Sequence, residues 1–390
     1  MHSFRIFATL CLILFCSVAH SQALRERLTA ELSELHKASN LPGFSVAIVN
    51  KDEILYSKGF GFSTISEAEA FTTSTVHNLG SVSKTVVGLS LIKAVEGGYL
   101  SLDDPINKHL SFEIQNPYYI DQPILIRHLA NHTSTILDTK HYRNTYLVRT
   151  DYEPEKGVHE GYLEFLKSHE ELSLEDFLKG ILSEDGKWYK KKNFLKAAPG
   201  AENDYANLNA ALAALVIEGA TGQSFKEFTS ASIFKPLGME STGWVVSDLG
   251  DIERATGYFP SGLTVPEYRL ITYPDGGLYS NTEDLIGYLK EVISAFTGKS
   301  DYLPSEYARQ LLPGDEDDTR AFFGMGEVSK NIGHQGSDPG TQVDFQFNAD
   351  SKIGRIIICN VNAEDNEELW SQYVQIHKIL AKYESKFYFR

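Results

Sequence analysis

The sequence is poor in cysteine, and its N-terminal apolar run is too short to cross a membrane. Among its 390 residues are three cysteines, Cys11, Cys16 and Cys359. The first two lie in the apolar run of residues 6–18, which follows Arg5 and precedes small residues, as in a secretory signal peptide. A membrane-spanning helix needs about 20 residues. We expect a signal peptide at 1–21, hence an exported protein, periplasmic or secreted, with no internal disulfide and no stable membrane span.

An excess of basic charge is also absent. The chain has 36 Lys and Arg against 52 Asp and Glu, a formal net charge of -16, and acidic and basic residues are interspersed. This composition argues against nucleic acid and anionic membranes as partners, and it favours a small-molecule or peptide substrate. His128 and His132 are spaced like zinc ligands, but no glutamate stands between them, so we predict no metal and no cofactor. The oligomeric state is left open.

Hydrophobic periodicity places similar elements at both ends of the chain. A leucine stripe from Leu24 to Leu35 predicts a helix, and residues 44–50 and 54–60 predict a β-hairpin. Near the C-terminus, residues 342–347 and 353–361 predict strands, and an apolar stripe predicts a final helix through Leu369, Tyr373, Ile376, Leu380 and Tyr383. The economical fold is α+β: an antiparallel sheet from both chain ends, flanked by the N- and C-terminal helices, beside an all-helical lobe.

The middle of the chain is mainly helical by the same criterion. Residues 82–96, 174–182, 208–219 and 282–296 are predicted helices. Residues 140–170 are polar and aromatic, and we expect an exposed excursion there. We predict one domain at 22–386, in which the α/β lobe spans about 22–80 and 265–386 and the helical lobe spans about 81–264. Functional clefts favour the junction of two such lobes.

Ser81 is the first candidate for chemistry. Ser81 and Lys84 fall about one turn apart at the start of the predicted 82–96 helix, so an amine lies beside a hydroxyl. A serine becomes nucleophilic when a neighbouring base takes its proton, and a desolvated lysine can be that base. The pattern recurs at Ser90 with Lys93 and at Ser232 with Lys235. Only Ser81 follows a glycine and begins a helix, which favours it over an ordinary N-cap role.

Tyrosine and asparagine two residues apart can supply a second proton carrier and an amide that orients substrate. Three pairs fit, at Tyr142, Tyr205 and Tyr279. We choose Tyr205 with Asn207, because they lie at a loop-to-helix junction where side chains are held firmly. The alternative is a core tyrosine followed by a capping asparagine.

A histidine and glycine pair precedes one of the C-terminal strands. His334, Gly336 and Ser337 stand just before the strand at 342–347, where glycine allows a substrate to approach the backbone closely. His159-Glu160-Gly161 has the same form but lies in the polar excursion. The alternative for His334 is a histidine of a surface turn.

These three motifs in this order resemble those of the serine β-lactamase and penicillin-binding protein superfamily. The similarity spans roughly residues 41–362 and includes landmarks between the motifs, such as His132-Thr133-Ser134 and Gly276-Gly277-Leu278. The resemblance implies a site between two lobes, with Ser81, Lys84 and Tyr205 as catalytic residues. It also implies that Asn207, His334, Gly336 and Ser337 bind substrate, with the backbone N–H groups of Ser81 and Ser337 holding the oxyanion.

The implied activity is a serine hydrolase that forms an acyl-enzyme with an ester, a D-amino-acid peptide or a β-lactam. Most β-lactamases of the superfamily carry lysine where His334 stands and a small hydroxyl residue where Gln335 stands, so we rank an esterase or peptidase above a class C-type β-lactamase. A penicillin-binding sensor that is acylated without turnover is the alternative from another class. Whether Lys84 or Tyr205 is the general base is left open.

Overall fold

An antiparallel sheet of eight strands forms the centre of the molecule. The computed structural model describes residues 21–148, 169–314, 319–326 and 329–388. The strands are β1 (Gly43–Val49), β2 (Ile54–Thr64), β3 (Glu69–Ala70), β4 (His77–Asn78), β5 (Tyr146–Val148), β6 (Tyr268–Leu270), β7 (Tyr279–Ser280), β8 (Thr319–Arg320), β9 (Phe323–Met325), β10 (Asn331–Asp338), β11 (Thr341–Asn348) and β12 (Gly354–Cys359). The order across the sheet is β3-β2-β1-β12-β11-β10-β9-β8.

Strands from opposite ends of the chain pair at the middle of this sheet. β1 pairs with β2 on one side and with β12 on the other, where Phe44 lies opposite Cys359 and Val49 opposite Gly354. Every residue of β1 and β12 is buried. Strands that are buried along their whole length have cover on both faces of the sheet. The predicted sheet built from both chain ends is therefore confirmed.

Helices cover both faces of the sheet. The α-helices of the described residues are α1 (21–37), α2 (Ser83–Glu96), α3 (Ile126–Ala130), α4 (Leu174–Leu182), α5 (Asn207–Thr221), α6 (Phe225–Thr229), α7 (Thr282–Phe296), α8 (Ser305–Leu311) and α9 (Glu367–Tyr388). On one face, α1 and α9 share a core with β1 and β12. On the other face, α7 packs against the same strands. The predicted α+β class is confirmed, and within the described ranges no helix is both long and apolar enough to span a bilayer.

Helix α2 passes through the interior of the helical region. Nearly all of its residues are buried, and it packs against α5, in which residues 208–217 are buried throughout. A helix that is buried on nearly all sides belongs to the protein interior and not to its surface. The turn before α2 contacts β10. The first residues of α2 therefore lie at the boundary between the helical region and the sheet.

Residues 140–148 correct the prediction of an exposed excursion at 140–170. A short turn, Lys140–Thr145, leads into β5, which pairs antiparallel with β6. The Tyr142 and Tyr146 hydroxyls donate to the buried carboxylates of Asp275 and Asp338. The prediction failed because the partners are remote in sequence, and local polarity carries no signal of them. Positions 149–168 of the excursion, and positions 1–20 of the predicted signal peptide, lie outside the described residues.

Candidate active site

Ser81 and Lys84 lie at the start of α2, in hydrogen-bond contact. Ser81 belongs to a single 3-10 turn, Gly80–Val82, that leads directly into the helix. The Lys84 side chain is buried. Its Nζ donates to Ser81 Oγ at 2.9 Å and to the backbone carbonyl oxygen of Asp275 at 2.5 Å. This geometry places an amine directly against the candidate nucleophile, at a helix start whose free N–H groups favour negative charge.

The turn that carries Ser81 lies directly against β10. A Cβ atom on Gly336 would lie 2.1 Å from the Leu79 carbonyl oxygen and 3.1 Å from the Ser81 nitrogen. A Cβ atom on Gly80 would lie 3.0 Å from the Ser337 nitrogen, and Gly80 has a φ of 51°. Two backbones approach this closely only because neither glycine has a side chain. The Ser81 and Ser337 nitrogens therefore both lie at this contact.

Tyr205 stands on the open side of Ser81, just before α5. Its hydroxyl lies 3.2 Å from Ser81 Oγ and 3.5 Å from Asn207 Oδ1. The Lys84 Nζ lies 5.3 Å from the centroid of its ring. Tyr205 is 46% exposed, unlike the buried lysine. Ser81 Oγ therefore has a buried amine on one side and a solvent-facing phenol on the other.

Asp138, which the sequence did not mark, orients Asn207. One carboxylate oxygen accepts from the Asn207 backbone N–H at 2.9 Å and from its Nδ2 at 2.8 Å, and the other accepts from the Leu208 N–H at 3.1 Å. A carboxylate can only accept, so the Asn207 amide nitrogen must face it and the amide oxygen must face Tyr205. Burial raises the pKa of Asp138, and these hydrogen bonds oppose that shift. Asp138 also caps the N-terminus of α5.

Two histidines contact the Tyr205 ring. The His132 ring centroid lies 4.5 Å from it, and the His334 centroid lies 6.1 Å from it. His132 Nδ1 accepts from the Ala206 N–H at 3.3 Å and from Asn209 Nδ2 at 3.2 Å, so the ring proton is on Nε2. Burial lowers the pKa of His132 to about 3. This ring is therefore a neutral support for Tyr205 near pH 7.

His334 lies on an open edge of the sheet. β10 pairs with β11 along its whole length, but with β9 only at Ile332 and Gly333. In the ranges that the structure describes, the edge from His334 to Asp338 has no strand partner. Burial, reinforced by the Lys84 charge, lowers the pKa of His334 to about 4. At neutral pH the His334 imidazole is therefore uncharged.

Two buried carboxylates lie behind Lys84. Asp275 Oδ1 accepts from the Tyr142 hydroxyl at 3.0 Å, and Asp338 Oδ1 accepts from the Tyr146 hydroxyl at 2.6 Å. Burial raises the pKa of each carboxyl to about 7, although the nearby Lys84 charge opposes the shift in both. Tyr142, which opens one of the other two tyrosine and asparagine pairs, is the one sequence feature that points to this cluster.

A cleft of about 590 Å³ opens beside Tyr205 and His334. Its described lining contains no Asp, Glu, Lys or Arg side chain. Carboxamides make up much of the polar part of the wall, namely Asn203, Asn331, Gln335 and Gln346. Phe322 and Met325 supply apolar surface. Burial lowers the pKa of both lining histidines, so the described part of this wall carries no formal charge near pH 7.

The duplicate motifs lie in other surroundings. The Ser90 and Ser232 hydroxyls each donate to a helix carbonyl four residues earlier. Asn281 caps α7 by accepting from the Asp284 N–H. His159 lies outside the described residues. The structure brings the members of the other three motifs together around Ser81. Among the described residues, no cluster of three or more His, Cys, Asp or Glu could hold a metal.

Comparison with known proteins gives a consistent family match. A sequence profile of the β-lactamase family matches residues 27–378. Protein flp of Staphylococcus aureus (strain COL) is 24% identical over 333 residues, which are 83% of this chain and 61% of that protein. Penicillin-binding protein 4* of Bacillus subtilis (strain 168) is 26% identical over 349 residues, 82% of this chain and 67% of that protein. The chain thus spans about 61% of the length of the first of these relatives.

A solved structure shares the fold at low sequence identity. EstCE1, described as a hydrolase with promiscuous acyltransferase activity, superposes with a TM-score of 0.66 at 19% identity. The superposition covers 93% of this chain and 99% of that one. At this identity the similarity establishes the common fold.

Proposed function

Because the chain belongs to the β-lactamase family, whose members include serine hydrolases, we propose that it is a serine hydrolase that forms an acyl-enzyme on Ser81. One observation carries the proposal. Ser81 Oγ lies within hydrogen-bond distance of both Lys84 Nζ, at 2.9 Å, and the Tyr205 hydroxyl, at 3.2 Å. A serine flanked by two groups that can carry its proton has the arrangement needed for nucleophilic catalysis.

The proposed reaction begins when Ser81 Oγ attacks a substrate carbonyl carbon. The Ser81 proton passes to Lys84 or Tyr205, both of which are within reach. As the bond to the leaving group breaks, the exposed Tyr205 hydroxyl returns a proton to the departing oxygen or nitrogen. Water then attacks the acyl ester, giving up a proton to the same groups, and the acid product leaves while Ser81 regains its hydroxyl.

The transition state carries negative charge on the former carbonyl oxygen. We assign its stabilisation to the backbone N–H groups of Ser81 and Ser337, which lie at the contact enforced by Gly80 and Gly336. One such donor contributes about 3 kcal/mol in comparable hydrolases. The start of α2 adds a favourable dipole at the same place.

The cleft supports an uncharged ester or amide as the substrate. Its described wall has no charged side chain, and His334, with its pKa lowered to about 4, is neutral at pH 7. A substrate carboxylate would therefore lose hydration near His334 and Gln335 without gaining an opposite charge. We propose uncharged esters, and D-peptides whose C-terminus is blocked as an amide, as better substrates than β-lactams that bear a carboxylate.

β-Lactam binding is the second candidate, favoured by the similarity to penicillin-binding protein 4*. The same serine could be acylated by a β-lactam and then hydrolyse it slowly or not at all. Turnover distinguishes a hydrolase from a sensor that is acylated once.

Three substrates test the proposal: a p-nitrophenyl ester, a D-Ala-D-Ala peptide with an amidated C-terminus and a chromogenic cephalosporin. Each is assayed with the wild type, with Ser81→Ala and with Ser232→Ala. Ser232 is the control because it belongs to a duplicate Ser-x-x-Lys pattern and its hydroxyl donates to a helix carbonyl. We expect steady turnover of the ester or peptide, a higher kcat/KM for them than for the cephalosporin, and loss of all turnover in Ser81→Ala alone.

Fluorophosphonate labelling followed by peptide mass mapping identifies the nucleophile directly. We expect the adduct on Ser81. Labelling that persists in Ser81→Ala would refute the nucleophile, and a cephalosporin that is the best substrate would refute the proposed substrate class. Stoichiometric acylation without turnover of any substrate would establish the sensor instead.

A further inference from the structure

Several hydrogen-bonding side chains beside Tyr205 are held in one polarity. A carboxamide has a donor end and an acceptor end, and a neutral imidazole has one nitrogen of each kind. Either end can face a ligand unless the protein holds the other end. Asn203, Asn207 and His334 are side chains of this type, and in each of them a neighbouring acceptor fixes the orientation.

Asp138 fixes the orientation of Asn207. Its Oδ2 accepts from Asn207 Nδ2 at 2.8 Å and from the Asn207 backbone N–H at 2.9 Å, and its Oδ1 accepts from the Leu208 N–H at 3.1 Å. If the Asn207 amide turned over, its oxygen would face a carboxylate oxygen, and a charge-assisted hydrogen bond would be lost. Asn207 Oδ1 therefore points away from Asp138, and it lies 3.5 Å from the Tyr205 hydroxyl.

Asn203 and His334 are fixed with the same polarity on the cleft wall. Asn203 Nδ2 donates to the Asn131 carbonyl oxygen at 2.9 Å, and His334 Nδ1 donates to the Gln335 carbonyl oxygen at 2.5 Å. A carbonyl oxygen can only accept, so Asn203 keeps its Oδ1, and the neutral His334 its unprotonated Nε2, for other partners. Both side chains line the cleft beside Tyr205. These three side chains therefore offer acceptors without a formal charge.

The Asn207 acceptor lies close to the reacting atoms. The Tyr205 hydroxyl is 3.2 Å from Ser81 Oγ, so a single hydroxyl group separates Asn207 Oδ1 from the proposed nucleophile. A substituent one or two bonds from the attacked carbonyl carbon therefore comes within reach of Asn207. A substituent that carries a donor would pair with Oδ1, whereas one that carries only acceptors would leave two acceptors facing each other.

We propose that the site selects acyl groups with an uncharged amide N–H on the carbon next to the attacked carbonyl, and that Asp138 sets this preference by holding the Asn207 oxygen outward. Asp138 is a positioning residue, because it acts on the substrate only through Asn207. The inference rests on the proposed function, and it narrows the substrate class from esters and amides in general to acyl groups of N-acylated amino acids, as in a peptide.

Two matched esters test the preference: the p-nitrophenyl esters of N-acetyl-D-alanine and of O-acetyl-D-lactic acid. They share a leaving group, a size and the absence of charge, and they differ in one position, where oxygen replaces the N–H. Each kcat/KM is divided by the rate of uncatalysed hydrolysis of the same ester, which removes the difference in intrinsic reactivity. Because Asn207 is only half-buried, we expect the amide-to-ester ratio in the wild type to be about tenfold.

Asp138→Asn should abolish that preference. The introduced amide presents one oxygen and one nitrogen to the start of α5, so the Asn207 amide can turn over and present its Nδ2 outward. We expect the ratio to fall to about one or below. If this variant does not fold, as judged by thermal unfolding, Asn207→Ala gives the answer, because it removes the acceptor and should also bring the ratio to about one.

The double variant Asp138→Asn/Asn207→Asp exchanges the two side chains. The carboxylate then stands at position 207, where one oxygen can accept from the introduced amide and the other faces the cleft as an acceptor. The ratio should return toward its wild-type value even where kcat is lower, a rescue that a merely structural role of Asp138 does not predict. Asp284→Asn is the control, because Asp284 holds the Ser241 N–H and the Thr242 hydroxyl and does not line the cleft. Its ratio should equal that of the wild type.

Three results would overturn the proposal. A wild-type ratio near one would remove the preference for a donor. A folded Asp138→Asn protein with the wild-type ratio, or a folded double variant whose ratio stays near one, would remove Asp138 as its source. Failure of the proposed function looks different, because the wild type would then turn over neither ester and would not be labelled on Ser81.

Discussion

The two proposed proton carriers beside Ser81, Lys84 and Tyr205, differ in their access to water. Lys84 is fully buried, whereas Tyr205 is 46% exposed and faces the cleft. A leaving group departs through the open side, so the phenol is the group placed to meet it. The lysine is enclosed, and its amine contacts Ser81 Oγ and the Asp275 carbonyl oxygen. This arrangement argues for one shared relay rather than two independent bases.

A shared relay predicts that the losses in two variants do not add. Lys84→Ala and Tyr205→Phe should each slow acylation of Ser81 about 100-fold or more, the usual effect of losing a positioned proton carrier. The double variant should be little slower than the worse single variant, because either change already breaks the path. Rates of fluorophosphonate labelling measure all three. If the logarithms of the two losses add fully, Lys84 and Tyr205 act independently.

His334 and Gln335 stand where most β-lactamase relatives have a lysine and a hydroxyl residue. His334→Lys, alone or with Gln335→Thr, introduces a positive charge on the open edge of β10, so a carboxylate-bearing cephalosporin should gain more in kcat/KM than a neutral ester. Because the pKa of His334 lies at about 4, the wild type should show no protonation-linked gain on cephalosporin between pH 5.5 and 8.5.

His334→Gln is the matched control for that substitution, because it changes the side chain without adding charge. Its cephalosporin-to-ester ratio should stay near that of the wild type. The gain in the lysine variant should shrink in salt if the contact is exposed to solvent. If the cephalosporin-to-ester ratio does not rise in His334→Lys, the cephalosporin carboxylate binds elsewhere in the cleft and not at position 334.

The residues that could be predicted from sequence are those in local motifs. Ser81 and Lys84 are three positions apart, and their hydrogen bond follows from helix geometry. Asp275 meets Lys84 across 191 positions. Asp138 meets Asn207 across 69 positions. A lone aspartate has no spacing pattern, so only the folded chain reveals which residues it contacts.

At the scale of elements, the close contact between β10 and the turn before α2 sets the geometry of the site. Gly336 and Gly80 allow two backbones to meet there, and both proposed oxyanion donors lie at the contact. Neither glycine contributes chemistry of its own. Each is required because any side chain would separate the sheet edge from the start of α2.

Gly336→Ala should therefore remove activity through geometry alone. The new Cβ would lie 2.1 Å from the Leu79 carbonyl oxygen, so the strand or the turn must move. We expect kcat for the ester to fall about 100-fold or more, the effect of losing one oxyanion donor. Gly287→Ala in α7 is the control, because its Cβ would meet only the Leu237 carbonyl oxygen, at 3.5 Å. Equal activity of the two variants would show that the contact is not needed.

Periodicity predicted the long elements well and the short ones poorly. Residues 174–182 and 282–296 are helices with the predicted bounds, because an apolar stripe over several turns is a strong signal. β5 was missed because it has three residues and depends on pairing with β6, in which Tyr146 lies opposite Leu270. A strand of that length has no periodicity to detect, and its stability comes from the distant partner and the buried tyrosines beside it.

On the scale of the whole molecule, the fold buries carboxyl and imidazole groups whose effects on stability change with pH in opposite directions. Burial raises the pKa of Asp275 and Asp338 to about 7, and it lowers the pKa of His77 and His334 to about 4. Between about pH 4 and pH 7 these carboxyls are protonated in the folded protein but ionised in the unfolded chain. The stability of the folded state therefore falls as the pH rises through this range. The histidines stay neutral where the unfolded chain is protonated, so stability is also lost as pH falls from 6.5 toward 4.

Replacing Asp338 tests how one buried carboxyl group changes the stability of the folded protein with pH. At pH 5 the Asp338 carboxyl is neutral in the folded protein, and Asp338→Asn, which keeps an acceptor for Tyr146, should leave the melting temperature almost unchanged. At pH 8 the wild type must bury a carboxylate, so the variant should melt roughly 2–5 °C higher. The histidines are the same in both proteins and cancel in the difference. Thermal unfolding at the two pH values measures the effect, with Asp121→Asn on the exposed surface as the control that should give the same difference at both. If Asp338→Asn stabilises the protein no more at pH 8 than at pH 5, the Asp338 carboxyl keeps an ordinary acidity in the folded state, and the buried acids do not set the pH limit of stability.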